Sequence, residues 1–170
     1  MVREQDALEQ IVDRHYDRVF SYCLAILTHR ERAEDACHDV FLKVQNNLDR
    51  LDHGRDCTPW LLRIARNHCY DILRKEQRLS LRGDLSDTVR ARSPGPEEQT
   101  LARDRAAAVV QAINELAPDY REVLVLRDIT GLTYADIARH LEIDSKKVKW
   151  MLYKARQRLR SVAGAWDETP

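Results

Sequence analysis

The sequence predicts an all-α fold: two small helical domains joined by a flexible linker, the C-terminal one containing a helix-turn-helix. Three observations predict it. Apolar residues recur at spacings of three and four rather than two. Only five glycines and five prolines interrupt 170 residues. One polar stretch, holding Ser93-Pro94-Gly95-Pro96, breaks the periodicity. A chain of this length accommodates one medium domain or two small ones, and the expected division is residues 1–78, a linker at 79–97, and residues 98–170.

The first helix is expected from about Asp6 to Thr28, with Leu8, Ile11, Val12, His15, Tyr16, Val19, Phe20, Cys23 and Ile26 on its inner face. A second runs from about Glu31 to Asp49 on the apolar stripe Ala33, Ala36, Val40, Phe41 and Val44. The loop Leu51 to Cys57 follows. Thr58-Pro59 then opens a third helix as an N-cap followed by proline, where the missing N–H costs nothing. Trp60, Leu61, Ile64, Ala65, His68 and Ile72 continue it before it fades through Arg74 to Arg78. Leu79 to Gln99 is polar and too long for a loop inside one compact domain, which makes it an interdomain tether. One helix to Leu116 and another from Pro118 to about Thr130-Gly131 begin the second domain.

The helix-turn-helix spans Leu132 to Arg160. Thr133 is a good N-cap, and Asp136 in the first turn suits the positive end of the helix dipole. Ile137, Ala138 and Leu141 form its apolar face, and a break follows at Glu142-Ile143-Asp144. Asp144 or Ser145 caps a second helix on which Val148, Leu152, Ala155 and Leu159 are expected to be buried. Its other faces carry Lys146, Lys147, Lys149, Lys154, Arg156, Arg158 and Arg160. A cationic second helix after a tight turn is the geometry that enters the DNA major groove, so duplex DNA is the leading partner. The formal net charge is zero, and such binding must come from local asymmetry. Glu31 to Asp52 is rich in acids, whereas Ser145 to Arg160 has none, which suggests two different partners.

Cys23, Cys37, Cys57 and Cys69, with six histidines, raise a metal hypothesis. The pairs Cys37-His38, His53-x-x-x-Cys57 and His68-Cys69 lack the spacing of a structural zinc site, so packing is preferred over metal or redox sensing. No cofactor, metal or small-molecule substrate is expected. No run of about eighteen apolar residues occurs, and MVREQDALEQ lacks a signal peptide's apolar core, so a cytoplasmic location is expected.

The segments Ala33 to Val44, Trp60 to Asn67 with Asp71 and Arg74, Leu116 to Leu124, and Gly131 to Leu159 together resemble those of bacterial sigma factors of the small extracytoplasmic-function group. Ala33-Glu34-Asp35-Ala36-Cys37-His38-Asp39-Val40-Phe41-Leu42-Lys43-Val44 is similar to their core-polymerase-binding segment. Trp60-Leu61-Leu62-Arg63-Ile64-Ala65-Arg66-Asn67, followed by Asp71 and Arg74, is similar to their strand-opening segment. Leu116 to Leu124 and Gly131 to Leu159 resemble the C-terminal promoter-reading domain. The resemblance covers nearly the whole chain outside the linker, and in the family's order.

The resemblance implies a protein that binds core RNA polymerase, at the largest-subunit clamp and the flap, and directs promoter-specific initiation without catalysis of its own. It implies that Asp35, His38, Asp39 and Phe41 meet the clamp, by charge and one apolar anchor. It implies that His53, Trp60, Arg63, Arg66, Asn67, Arg74 and Lys75 capture unpaired bases of the −10 element, by stacking and cationic contacts. The −35 duplex falls to Lys146, Lys147, Lys149, Trp150, Tyr153 and Lys154, with Arg156 and Arg158 on phosphates. Trp60 and Trp150 are each also candidates for core packing. An anti-sigma factor is an implied further partner.

The sequence departs from the family pattern at Glu142, where glycine is common, and at Asp144-Ser145-Lys146-Lys147. It departs again at Trp150, where a small polar residue is common, and at His38, where glutamine is. Two rival readings share the helix-turn-helix: a dimeric operator-binding regulator, and a sigma-like decoy that titrates an anti-sigma factor. A thiol or metal hydrolase is a distant third.

Overall fold

A computed structural model of the chain describes residues 2–48, 56–81 and 111–167, with side chains described between 7 and 161 of these. The expected linker beyond 81, the start of the second domain and His53 lie outside the described residues. The chain divides into two compact units, Met1–Val89 and Arg90–Pro170. Every regular element among the described residues is helical.

The first unit is a packed trio of α1 (Val2–Leu27), α2 (Arg30–Gln45) and α3 (Thr58–Leu81). Val19, Tyr22, Cys23 and Ile26 form the stripe that α1 buries, and Tyr22 is fully enclosed. Tyr16 was expected inward but is 40% exposed, because it sits one step round the helix from the stripe His15, Val19, Tyr22 and Ile26. Thr28 ends α1 at φ 57, and its hydroxyl donates to the Leu27 carbonyl at 2.8 Å. Helix α2 buries Ala33, Ala36, Cys37, Val40, Phe41 and Val44, and stops at Gln45, four residues before the expected end. Helix α3 buries Leu61, Leu62, Ala65 and Cys69, whereas Trp60, Ile64, His68 and Ile72 are half-buried at its margins.

The start of α3 differs from the sequence expectation by one residue. The Cys57 carbonyl accepts the first helical bond, from Leu61 N–H at 2.9 Å. The free amide of Thr58 is satisfied by Asp56 Oδ1 at 3.0 Å, so Asp56 supplies the capping carboxylate. Thr58 turns inward instead: its hydroxyl donates to Asp56 at 2.6 Å, and lies 3.3 Å from Nδ1 of the buried His15. These bonds from Thr58 hold the Asp56 carboxyl below the usual carboxylate range, and burial lowers His15.

Cys23, Cys37 and Cys69 are fully enclosed. A hydrogen bond with Cys69, then burial, raises the Cys23 thiol, and burial pushes Cys37 up to about 12. The Cys23 and Cys37 thiols therefore stay protonated, and all three cysteines pack as small hydrophobes.

In the second unit residues 111–115 are helical, and Leu116 is buried where that helix ends. The Arg121 guanidinium caps the end by donating to the carbonyls of Asn114 and Leu116. Helix α4 (Pro118–Leu124) opens on proline and widens into a π turn over Val125–Ile129. Gly131, at φ 78, turns the chain so that Leu132 N–H reaches the Leu126 carbonyl at 2.9 Å. Helices α5 (Tyr134–Leu141) and α6 (Ser145–Asp167) then form the helix-turn-helix. Ile137, Val148 and Leu152 are enclosed and Met151 is buried, while Ala155 is buried in a cluster with Leu116 and Leu124 against which the half-buried Leu159 packs.

The α5 cap is reciprocal. Thr133 Oγ1 accepts from Asp136 N–H at 3.1 Å and donates to Asp136 Oδ2 at 2.6 Å. The carboxylate also pairs with Arg139, and the Thr133 hydrogen bond foremost holds Asp136 below the ordinary carboxylate range. Thr133→Ala is therefore expected to destabilise the second unit by about 1 kcal/mol. A depressed folded-state value means that the Asp136 contribution is present above the unfolded carboxylate range and is lost as pH falls through the folded value. Melting curves from neutral to acid pH check both: the deficit of the variant should shrink as the pH drops through that window.

Candidate functional site

Two exposed faces in the first unit and one in the second carry the charged residues singled out in the sequence. On α2 the residues Asp35, His38, Asp39 and Leu42 are all exposed, at spacings of three and four, so they share the face opposite the core stripe. Phe41 lies elsewhere: it is 8% exposed and stacks on Tyr16 at 6.1 Å between ring centroids. The apolar group that this face presents is Leu42, 45% exposed. The period alone could have found it, since Leu42 stands seven residues after Asp35. Asp39 is tied to α3, its carboxylate 3.1 Å from His68 Nε2. Glu34, on the flank, pairs with Arg30 at 2.8 Å.

On α3 Trp60, Arg63, Asn67 and Arg74 follow one another at three, four and seven residues, which places them on a single stripe. Arg63, Asn67 and Arg74 are exposed and Trp60 is half-buried, its ring shared between core margin and surface. Asp71 lies on the same stripe and holds Arg74 at 3.7 Å. Arg66 stands on the neighbouring stripe with its guanidinium 5.0 Å from the Tyr70 ring centroid. Lys75 is exposed. The stripe offers one aromatic edge, an amide and cations in a row, the set that stacks on and hydrogen-bonds unpaired bases.

The third face is the outer surface of α6. Asp144 is its N-cap, accepting from Lys146 N–H at 2.5 Å, and its carbonyl accepts from Val148 N–H at 3.0 Å. The preceding turn runs through Glu142 at φ 56, ψ 42, left-handed despite carrying a side chain. Such a residue costs roughly 1–2 kcal/mol relative to glycine, so the turn geometry is kept against a local preference. Opposite the buried Val148 and Leu152 lie Lys146, Lys149, Trp150 and Tyr153, all exposed. Trp150 does not finish the core: it is 51% exposed, with Tyr153 at 57%, and its inner edge meets Tyr120 at 6.0 Å between ring centroids. Lys147, Lys154 and Arg158 form one exposed flank. Arg156, expected on phosphate, instead forks onto Asp128 at the end of the π turn, with Nε 3.1 Å from Oδ2. It braces α6 on its own unit, which removes part of its charge from the outer face. An exposed, lysine-rich helix carrying two aromatic rings has the shape and charge to lie in a major groove.

Comparison with known proteins identifies both units. The sigma-70 region 2 family matches residues 11–79, and the sigma-70 region 4 family matches residues 106–159. The chain is 30% identical over 166 residues to the ECF RNA polymerase sigma factor SigW of Bacillus subtilis (strain 168), covering 92% of this chain and 89% of that protein. Among solved structures it is similar to CnrH in complex with the cytosolic domain of CnrY, with TM-score 0.69 and 25% identity over 95% of this chain and 90% of that one. It shares the fold of the sigma factor RpoE in complex with the anti-sigma factor NepR from Bartonella quintana, with TM-score 0.77 and 23% identity over 92% of this chain and 96% of that one.

Proposed function

Because this chain belongs to the extracytoplasmic-function group of RNA polymerase sigma factors, we propose a division of promoter recognition among its three exposed faces. The protein is an alternative sigma factor, which binds core RNA polymerase and directs promoter-specific transcription initiation. The acidic α2 face, with Asp35, His38, Asp39 and Leu42, docks on the basic clamp of the largest polymerase subunit. Opposite charge steers and registers the encounter, and Leu42 takes the anchoring place first expected of Phe41. The α3 stripe of Trp60, Arg63, Asn67 and Arg74, with Arg66, Lys75 and His53, captures the −10 bases as the strands part.

The α6 face reads the −35 duplex. Lys146 and Lys149 reach base-edge acceptors, Trp150 and Tyr153 press on apolar base edges, and Lys147, Lys154 and Arg158 hold phosphates, with Arg156 as the brace. The second unit also meets the polymerase flap. The protein acts in the cytoplasm by binding, with no catalysis of its own. An anti-sigma partner is the natural repressor of such a chain, in keeping with the complexes solved for CnrH and RpoE.

The observation that carries this assignment is the separation of an acid-rich helix face in one unit from a cationic recognition helix in the other, each within the matching sigma region. Runoff transcription with reconstituted holoenzyme tests it: initiation should depend on this chain and on both promoter elements. A plain operator-binding regulator would bind its site stably without polymerase, and leaves the α2 face without a purpose. Lys149→Ala is expected to cost about 1–3 kcal/mol of promoter discrimination if the lysine reads a base. Transcription from promoters varied across the −35 element checks this, and an unaltered ranking of promoters would remove Lys149 from the reading set.

A further inference from the structure

Asp39 and Lys43 stand one turn apart on α2, the i,i+4 spacing at which a carboxylate and an ammonium meet across a helix surface. The structure puts His68 of α3 between them. Lys43 Nζ lies 2.8 Å from His68 Nδ1, and His68 Nε2 lies 3.1 Å from Asp39 Oδ2. An ammonium only donates, so Nδ1 is the acceptor in this contact, and the ring hydrogen on Nε2 points to the carboxylate. The tautomer with its hydrogen on Nε2 therefore meets both charges, each with the matching nitrogen. Its side chain is only 15% exposed, whereas that of Asp39 is 52% exposed. A ring packed on the first unit thus fixes a carboxylate that faces solvent.

We propose that His68 is a positioning residue for polymerase docking: it keeps Lys43 from neutralising Asp39, and holds that carboxylate open to a cation of the partner. The proposal rests on reading the α2 face as the docking surface. Without the imidazole, the two α2 side chains are free to pair with each other, and Asp39 must then break that pair, and give up rotamer freedom, before it meets polymerase. The same contact joins the docking helix to the helix that carries the strand-opening stripe, as does the ion pair between Arg32 and Glu76 about two turns away.

The test measures affinity of the full-length chain for core RNA polymerase, with melting curves alongside. His68→Leu should weaken binding about threefold to tenfold, in the range of coupling between contacting groups. The loss should shrink in a Lys43→Ala background, where nothing is left to neutralise the acid, and vanish in an Asp39→Ala background, where nothing is left to position. His68→Gln, whose amide can donate to the carboxylate and accept from the ammonium, should restore most of the affinity, and provides the measurement if the leucine variant melts early. The proposal is overturned if Asp39→Ala weakens binding while His68→Leu does not, or if the His68→Leu loss persists undiminished in either background. If Asp39→Ala binds as tightly as the unaltered chain, the docking surface itself is misassigned, and the positioning role goes with it.

Discussion

Replacing Asp39 with arginine is expected to weaken association with core RNA polymerase by about a hundredfold or more, with helix content and melting little changed. The carboxylate is half exposed at the centre of the outward α2 face, so the substitution buries no charge and opens no cavity. What it reverses is the sign of the potential that meets the clamp. Truncating one partner of a desolvated charge pair typically costs about 2–5 kcal/mol, and placing like charges together costs several more. Part of the loss should appear in the association rate, and should diminish as salt screens the approach. Titration of labelled core polymerase at two ionic strengths measures both. Normal holoenzyme assembly by the arginine variant would move the docking surface off α2.

The second large effect is expected in the other unit. Leu152→Ala should destabilise the helix-turn-helix by about 3 kcal/mol, within the range for removing a buried leucine. Leu152 is 2% exposed on α6, which packs on both α4 and α5. Losing it leaves a void beneath the base-reading face, and that face can discriminate only while the helix is held rigid. Thermal unfolding should show one transition shifted downward, with −35 recognition falling in parallel, while polymerase docking through the first unit persists. An unshifted transition would mean that the junction collapses around the void without cost.

Much of the architecture is legible in the residues because helical burial is periodic. Ala33, Ala36, Val40 and Val44, or Val148, Leu152 and Ala155, announce a core face at a spacing that only a helix satisfies, and each is buried. The helix-turn-helix caps are equally local: a threonine three residues before an aspartate at Thr133, and an aspartate before a cationic run at Asp144, each satisfied by bonds within a few residues. The sites are less legible wherever a residue borders two faces. Phe41 and Leu42 are both apolar neighbours in the docking motif, yet one is enclosed against Tyr16 and the other is exposed. Trp150 carries enough apolar area to suit a core, but its position puts most of the ring outside, with only an edge on Tyr120.

By itself, then, the sequence determined the helical fold, the order of the elements, the two charge-segregated regions and the family, because these depend on spacing and composition along the chain. The tertiary structure alone decided which groups the charges meet. Arg156 turns to Asp128 across 28 residues, and Asp39 and Lys43 divide between the two nitrogens of His68 on another helix. It also decided that Thr58 serves His15 while Asp56 caps α3. Such pairings join side chains distant in the chain, and their energies depend on distances of about 3 Å that only packing sets.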